Sequence, residues 1–259
     1  MKLSGAQVFV ECLKEQRADI IFGYPGGAVL PIYDALYDAK EITHILTAHE
    51  QGATHAADGY ARSTGKVGVV LVTSGPGATN TVTGIATAYM DSVPLVVFTG
   101  QVAGPLLGRD SFQEVDTTGI TLPITKHNYI VKDAAMLPEI IRDAFTIARS
   151  GRPGPVVVDI PKDIQTSLID YTPAPDNVLT RKFHKNPYYE PDEVADNLSC
   201  AIEVIDKASR PVIFAGGGVT ISGADKELLA FAERIKAPVC CSLMGMGSFP
   251  GTHPYFMGM

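Results

Sequence analysis

Glu50 is the side chain in this sequence best placed for proton chemistry. It lies in Ala48-His49-Glu50-Gln51-Gly52-Ala53, where the apolar run Ile42-Thr43-His44-Ile45-Leu46 gives way to a helix-like stretch ending near Thr64. Two glycine turns bracket it, Gly23-Tyr24-Pro25-Gly26-Gly27 before and Thr73-Ser74-Gly75-Pro76-Gly77-Ala78-Thr79-Asn80 after. A carboxylate between two such turns can be held in a largely apolar pocket that admits a flat heterocycle, and can exchange a proton with it. The plain alternative is a glutamate in a first helical turn complementing the helix dipole. A zinc-protease motif is excluded, because it needs a histidine three positions after the glutamate and the next one here is His55.

The turns have bland readings too. Glycines between a strand and a helix ordinarily supply positive φ. The functional alternative for Gly27 is a backbone N–H offered to a developing oxyanion. The turn from Thr73 to Asn80 resembles a phosphate loop, with glycines at a helix N-terminus, but it lacks the Lys-Ser/Thr of a nucleoside-triphosphate site. Gly216-Gly217-Gly218 after a strand is a weak dinucleotide signal. Phe112-Gln113-Glu114 lies in a polar loop running from Gly104 to Gly119, the kind of segment that often carries ligand contacts.

The elements that must position these residues alternate regularly. Strands are expected at Ile20–Phe22, His44–Leu46, Val67–Val72, Leu95–Thr99 and Val156–Ile160. Helices are expected at Ala28–Asp38, Glu50–Ser63, Ala78–Asp91 and Leu137–Ser150, after an N-terminal helix opened by a Ser4-to-Gln7 capping box. Alternation of this kind predicts an α/β fold, a doubly wound parallel sheet with helices on both faces. From Thr166 to Pro191 four prolines (173, 175, 187 and 191) break the rhythm, which reads as a linker. The expected division is residues 1–165, a linker 166–190, and a second Rossmann-like α/β unit over 191–259. In that second unit a helix is expected over Pro191–Lys207, a strand Val212–Ala215, a helix Ala224–Ile235 and a strand Val239–Leu243. Only two strands are foreseen there, so the chain reads as cut short.

Composition narrows the classes. Of 259 residues 46% are hydrophobic and 19% charged, which describes a globular protein with a substantial core. A net charge of −7 with no block of like charges argues against a nucleic-acid surface. No export signal or apolar run of membrane-spanning length is seen, and Cys12, Cys200, Cys240 and Cys241 form no CxxC pair. These point to a soluble, cytoplasmic protein with reduced, mostly buried thiols.

Taken in order and spacing, these stretches closely resemble the large catalytic subunit family of acetohydroxyacid synthase (acetolactate synthase), which depends on thiamine diphosphate. The likeness runs through Phe22–Ala28, His49–Ala53, Thr73–Asn80, Gly100-Gln101-Val102, Ser111–Glu114, Thr125–Asn128, Ser150–Pro155, Asp159–Asp163, Gly216–Gly218 and Ser242–Gly245. It implies a pyrimidine-binding domain followed by part of a central, FAD-binding domain. It implies that Glu50 hydrogen-bonds the pyrimidine N1′ of thiamine diphosphate, in decarboxylation of pyruvate and carboligation to a second 2-ketoacid for branched-chain amino acid biosynthesis. By the same likeness Gly27 donates to an oxyanion, and Tyr24, Pro25, Pro76, Asn80 and Gln113 lie along the cofactor. Phe112, Gln113 and Lys162 meet substrate, while Arg152, Gly216, Gly217 and Gly218 hold FAD. Mg²⁺ belongs to a further domain, with no metal ligands in this chain. Pyruvate and 2-ketobutyrate are the implied substrates. The implied partners are a second catalytic subunit, in a homodimer or homotetramer, and a small regulatory subunit; the present segment is expected to be inactive alone. Ala48, Arg109 and Ser111 depart from the family pattern, which bears on second-substrate preference and channel shape. Three rival readings are another thiamine-diphosphate enzyme of the pyruvate oxidase or decarboxylase type, a non-catalytic split subunit, and a nucleotide-binding α/β module that binds only a flavin. The Phe112-Gln113-Glu114 and Pro161-Lys162-Asp163 stretches favour the synthase.

Overall fold

The computed structural model describes residues 1–174 and 191–259, and the chain divides into two units, Met1–Phe183 and His184–Met259. In chain order the first unit runs β1 (Lys2–Ser4), α1 (Gly5–Glu15), β2 (Ile20–Tyr24), α2 (Leu30–Asp38), β3 (Thr43–Leu46) and α3 (Glu50–Thr64). It continues with β4 (Gly68–Val72), α4 (Pro76–Thr79), α5 (Val82–Asp91), β5 (Leu95–Gln101), α6 (Thr117–Thr121), β6 (His127–Ile130), α7 (Leu137–Arg149), β7 (Val156–Pro161), α8 (Lys162–Thr166) and β8 (Leu168–Asp170).

Six strands form one sheet in the order β3-β2-β4-β5-β7-β6, every pairing parallel. The apolar runs explain this layering. In β4, Val69 and Leu71 join the core beneath α1, α2 and α7, while Val70 and Val72 join the one beneath α3 and α5. A strand alternates its side chains between faces, so a sheet covered on both sides demands a continuous apolar run. On the first face Phe98 meets Phe9 edge-on at 4.7 Å between ring centroids. Fully burying a side chain of that size contributes about 1.5–3 kcal/mol. The second face is lined by small residues of α3, Ala53, Ala57 and Ala61, which let that helix lie close to the sheet.

The Ser4 capping box forms as expected: Gln7 N–H donates to Ser4 Oγ at 3.3 Å and Ser4 N–H to Gln7 Oε1 at 2.9 Å. The helix expected from Ala78 to Asp91 is instead two, broken at Asn80 and Thr81. Thr81 Oγ donates to the Ala78 carbonyl at 2.6 Å, occupying the acceptor that a continuous helix would offer to residue 82. β6 is an edge strand that polar His127 and Asn128 conceal from hydrophobic patterning. The start of the expected linker is folded: β8 pairs antiparallel with β1, and Ala174 N–H donates to Glu15 Oε1 at 2.8 Å. The remainder, 175–190, lies outside the described residues.

The second unit holds α9 (Pro191–Lys207), β9 (Ile213–Ala215), α10 (Gly217–Ser222), α11 (Asp225–Ile235), β10 (Val239–Cys241) and β11 (Phe256–Gly258). Its sheet has three parallel strands in the order β11-β10-β9, one more than expected. β11 escaped notice because Phe256-Met257-Gly258 is too short to show a period. Ala215, Ala232, Val239, Cys241 and Phe249 form the core of this unit. All four cysteines are free, Cys12 and Cys241 buried but Cys200 exposed, so the expectation of mostly buried thiols fails at Cys200. Among the described residues no helix is long and apolar enough to cross a membrane.

Candidate active site

The site follows from strand order. After β2 the chain crosses through α2 to β3 on one side; after β3 it crosses back through α3 to β4 on the other side of β2. α2 and α3 pack on opposite faces of the sheet. At such a reversal the two connections part, and a crevice opens beyond the carboxyl ends of the strands. The Gly23–Gly27 turn leaves β2 there and the Thr73–Asn80 turn leaves β4 there, while α3 brings Glu50 in its first turn.

Glu50 is 9% exposed. Asn80 Nδ2 donates to its Oε2 at 2.9 Å, and among the described residues no donor reaches Oε1. A Cβ on Gly77 would lie 3.4 Å from that Oε1, so the second turn passes directly over the carboxylate. His49, which caps α3 by accepting the Gln51 N–H at 3.1 Å, fixes the backbone that presents Glu50. The two turns are locked to each other through Thr73. Its Oγ1 accepts the Ala28 N–H at 3.3 Å, and a Cβ on Gly26 would come within 2.5 Å of its side chain. Gly27 faces open space, and among the described residues its N–H meets no acceptor.

A third segment, residues 102–116, leaves β5 and folds against the second turn. Gly75 has φ of +57°, and a Cβ there would lie 2.7 Å from the Gln113 carbonyl oxygen, so only glycine admits this contact. The Glu114 carboxylate gathers the loop by accepting N–H groups of Gly108, Arg109 and Ser111; the bonds from Ser111 and Gly108 hold it below the usual range. Asp110 and Gln113 both adopt left-handed backbone, and Phe112 between them is 88% exposed.

Below this loop lies a buried polar cluster that sequence reasoning missed. Asp159 of β7, 1% exposed, accepts from Thr99 Oγ1 at 2.7 Å and from Gln101 Nε2 at 2.9 Å. Gln101 also donates to the Val115 carbonyl at 3.0 Å, tying the loop's end to the sheet. Burial pushes the Asp159 carboxyl up to about 7, against the hydrogen bonds from Thr99 and Gln101. A charged residue inside the run Val156-Val157-Val158-Asp159-Ile160 was the available signal.

The structure thus gathers Glu50, Asn80, the turn bearing Pro76, the turn bearing Tyr24, Pro25 and Gly27, and the Gln113 backbone. Phe112 points into solvent. Lys162 opens α8 beyond β7 and is exposed. Arg152 is engaged elsewhere in this unit, donating to Ser92 Oγ at 2.6 Å and to the Met90 carbonyl at 3.0 Å at the end of α5. In the second unit Gly216 caps α10, Gly217 packs on Met244, where a Cβ would lie 3.0 Å away, and Gly218 faces open space. Among the described residues no three His, Cys, Asp or Glu side chains are grouped to hold a metal ion.

Comparison with known proteins agrees with this geometry. Residues 3–120 match the family model described as thiamine pyrophosphate enzyme, N-terminal TPP binding domain, and residues 198–259 match the thiamine pyrophosphate enzyme central domain. The chain is 55% identical over 258 residues to the acetolactate synthase large subunit of Buchnera aphidicola from Acyrthosiphon pisum, covering 99% of this chain and 44% of that protein. It is 53% identical over 259 residues to the probable acetolactate synthase large subunit of Methanocaldococcus jannaschii, covering 99% of this chain and 43% of that protein. It is 52% identical over 259 residues to the Lactococcus lactis large subunit, again covering 99% of this chain and 44% of that one. The chain therefore spans less than half the length of these relatives. With the two domain models together spanning more than half of its residues, and Glu50 seated between the turns of the first, the chain belongs to the thiamine pyrophosphate enzymes.

Proposed function

We propose that this chain forms the pyrimidine-binding part of an acetolactate synthase catalytic subunit, and that Glu50 is its proton-exchanging acid. One observation carries this: a nearly buried carboxylate at the sheet's reversal point, with Oε2 held by Asn80 and Oε1 left without a donor among the described residues. A flat ring carrying a basic nitrogen fits that free oxygen. When bound, thiamine diphosphate supplies the electron sink that decarboxylation of a 2-ketoacid requires.

The chain's own residues have definite parts in this reading. Asn80 fixes the Glu50 rotamer, leaving its other oxygen to exchange a proton with the ring nitrogen. Tyr24 and Pro25 from the first turn, Pro76 from the second and Gln113 from the loop after β5 wall the ring and exclude water. Gly27 offers its N–H, which meets no acceptor among the described residues, where negative charge develops. Phe112 and Lys162, both exposed, serve as substrate contacts at the mouth. Pyruvate is the first substrate, and a second 2-ketoacid, pyruvate or 2-ketobutyrate, accepts the carboligation.

The likeness supports further, finer assignments. Mg²⁺ would be held by residues outside this chain. FAD would be held in the second unit by the backbone of Gly216 and Gly218, which have room beside them; Gly217 is occupied by Met244. Arg152, in the first unit, is assigned to FAD only through the guanidinium nitrogen that Ser92 and Met90 leave free. A second catalytic subunit in a homodimer or homotetramer, a small regulatory subunit and a cytoplasmic setting complete the proposal.

The test is product analysis on the complete enzyme containing this sequence, with pyruvate, thiamine diphosphate and Mg²⁺. Acetolactate formation that Glu50→Gln abolishes supports the proposal. Acetate or acetaldehyde as the product would transfer the chain to the oxidase or decarboxylase class, and an undiminished rate in Glu50→Gln would remove Glu50 from its role.

A further inference from the structure

Gln165, in the short helix α8, is 1% exposed and has no part in the chemistry described above. Its Nε2 donates to the Ala28 carbonyl at 2.7 Å and to the Ile160 carbonyl at 2.9 Å. Both amide hydrogens are thus used, while Oε1 is buried without a partner among the described residues. Turning the amide over would set Oε1 against two carbonyl oxygens, so the nitrogen must face them. Ile160 lies near the end of β7, whereas Ala28 directly follows the Gly23–Gly27 turn. One buried side chain therefore pins that turn to the sheet.

Ala28 is held three ways. Its N–H donates to Thr73 Oγ1 at 3.3 Å, its carbonyl accepts from Gln165, and a Cβ on Gly100 of β5 would lie 2.9 Å from its own Cβ. This grip sets the neighbouring peptides. The Val29 N–H donates to the Gly26 carbonyl at 3.0 Å, closing a four-residue turn with Gly27 and Ala28 at its centre. In a trans peptide the C=O and the following N–H point in opposite directions. The Gly26 carbonyl points back into the turn, so the Gly27 N–H points out of it, where no acceptor among the described residues meets it.

Glycine leaves the backbone at position 27 free to swing, so the aim of its N–H depends on Ala28 staying in place. Of the two hydrogen bonds on Ala28, the one from Gln165 is the shorter. The plain alternative is a buried glutamine that only seats α8. That role needs the bond to Ile160, five residues back, and leaves the bond to Ala28 without a purpose.

We propose, on the role given above to Gly27, that Gln165 is a positioning residue: by clamping Ala28 it aims the Gly27 N–H at the negative charge that develops on the reacting 2-ketoacid.

The experiment is a double-mutant cycle on the complete enzyme containing this sequence, with acetolactate formation expressed per bound thiamine diphosphate. Gly27→Pro deletes the N–H and suits the second position of the turn, since Gly27 is not among the left-handed glycines. It should lower kcat by about 100-fold. Gln165→Met keeps the shape but gives up both hydrogens. It should lower kcat by about ten-fold and change KM for pyruvate by less than about two-fold, because the lost interaction belongs to the transition state. In the Gly27→Pro background the same change should cost less than about two-fold, because the N–H it aims is gone. Asp163→Ala disturbs α8 elsewhere, releasing the Gly104 N–H that Asp163 accepts at 3.1 Å, and its effect should multiply with that of Gly27→Pro. If Gln165→Met does not fold, Gln165→Glu, which as the neutral acid keeps the shape and one hydrogen, enters the same cycle.

Gln165 and Gly27 effects that multiply overturn the proposal. So do an undiminished rate in either single variant and an Asp163→Ala effect that also vanishes with Gly27→Pro. Glu50→Gln, run in parallel, separates this proposal from the function it rests on. An undiminished rate there removes the chemistry assigned to the site. Its collapse alongside multiplying Gln165 and Gly27 effects removes the positioning role alone.

Discussion

At the carboxyl edge of the parallel sheet one carboxylate, Glu50, enters on the first turn of α3. At the amino edge three cations, Arg17, Lys66 and Arg149, gather where α1, α3 and α7 end. Both follow the same rule, acids at helix N-termini and bases at C-termini. They differ in what is left unmet. Among the described residues the carboxyl edge keeps an acceptor without a donor, Glu50 Oε1, beneath two interlocked turns, while at the amino edge the donor without a partner, Gln16 Nε2, is closed off from solvent. Polarity of residue type alone therefore does not mark a site. The informative groups are those whose neighbours satisfy one atom and leave the other.

Several variants bear on that contrast, beginning with the largest effect. Glu50→Gln can still accept from Asn80 but cannot exchange the proton, so turnover of the complete enzyme should fall by about 100- to 10,000-fold with the melting temperature nearly unchanged. A comparable loss of stability would mean Glu50 is structural. Gly26→Ala should destabilise by about 1–3 kcal/mol in urea unfolding, because the added methyl meets Thr73 and displaces its bond to Ala28.

Asp159 gives a pH signature. Its carboxyl is raised by burial from 3.8 to about 7, so the folded state holds a proton that the unfolded chain releases. The stability it contributes is full below pH 3.8 and is lost as pH rises towards about 7. Unfolding free energies of Asp159→Asn and the unmodified chain, compared between pH 5 and 8, should diverge by roughly 1–3 kcal/mol over that span, the variant having the flatter profile. Parallel profiles would show that Asp159 is charged throughout.

At the amino edge, Arg17→Gly should stabilise by about 1 kcal/mol, since glycine adopts the left-handed conformation without cost. Urea unfolding checks this, and an unchanged or lower unfolding free energy would show that the Arg17 side chain makes contacts worth more than the strain. The smallest effect belongs to Gly27→Ala. Open space surrounds that position, so stability should move by less than about 0.5 kcal/mol, and a larger loss would show that the turn is closed.

Much of the fold is legible in the sequence because its signals are local. The run Val69-Val70-Leu71-Val72 announces a strand covered on both faces, and Ser4-Gly5-Ala6-Gln7 announces a capped helix. The weak points are equally local. The edge strand β6 has polar residues where a buried strand would not, β1, β8 and β11 are three residues long, and Thr81 breaks a helix through a bond no periodicity reveals.

For the candidate site, residue types and spacing determined that Glu50 stands between two glycine turns, and family likeness attached chemistry to them. Tertiary structure alone decided which side chains meet. Strand order places both turns at one reversal point, Asn80 rather than any nearer residue holds Glu50, and Phe112 stays outside while Gln113 is packed on Gly75. It also decided that buried Asp159 and Gln101 meet and that Gln101 ties Val115 to the sheet, and that Gln16 bonds Arg149 across 133 positions. The physical reason is range. Propensity and capping act over a few neighbouring residues, whereas satisfying buried polar groups depends on partners that only chain crossovers bring together.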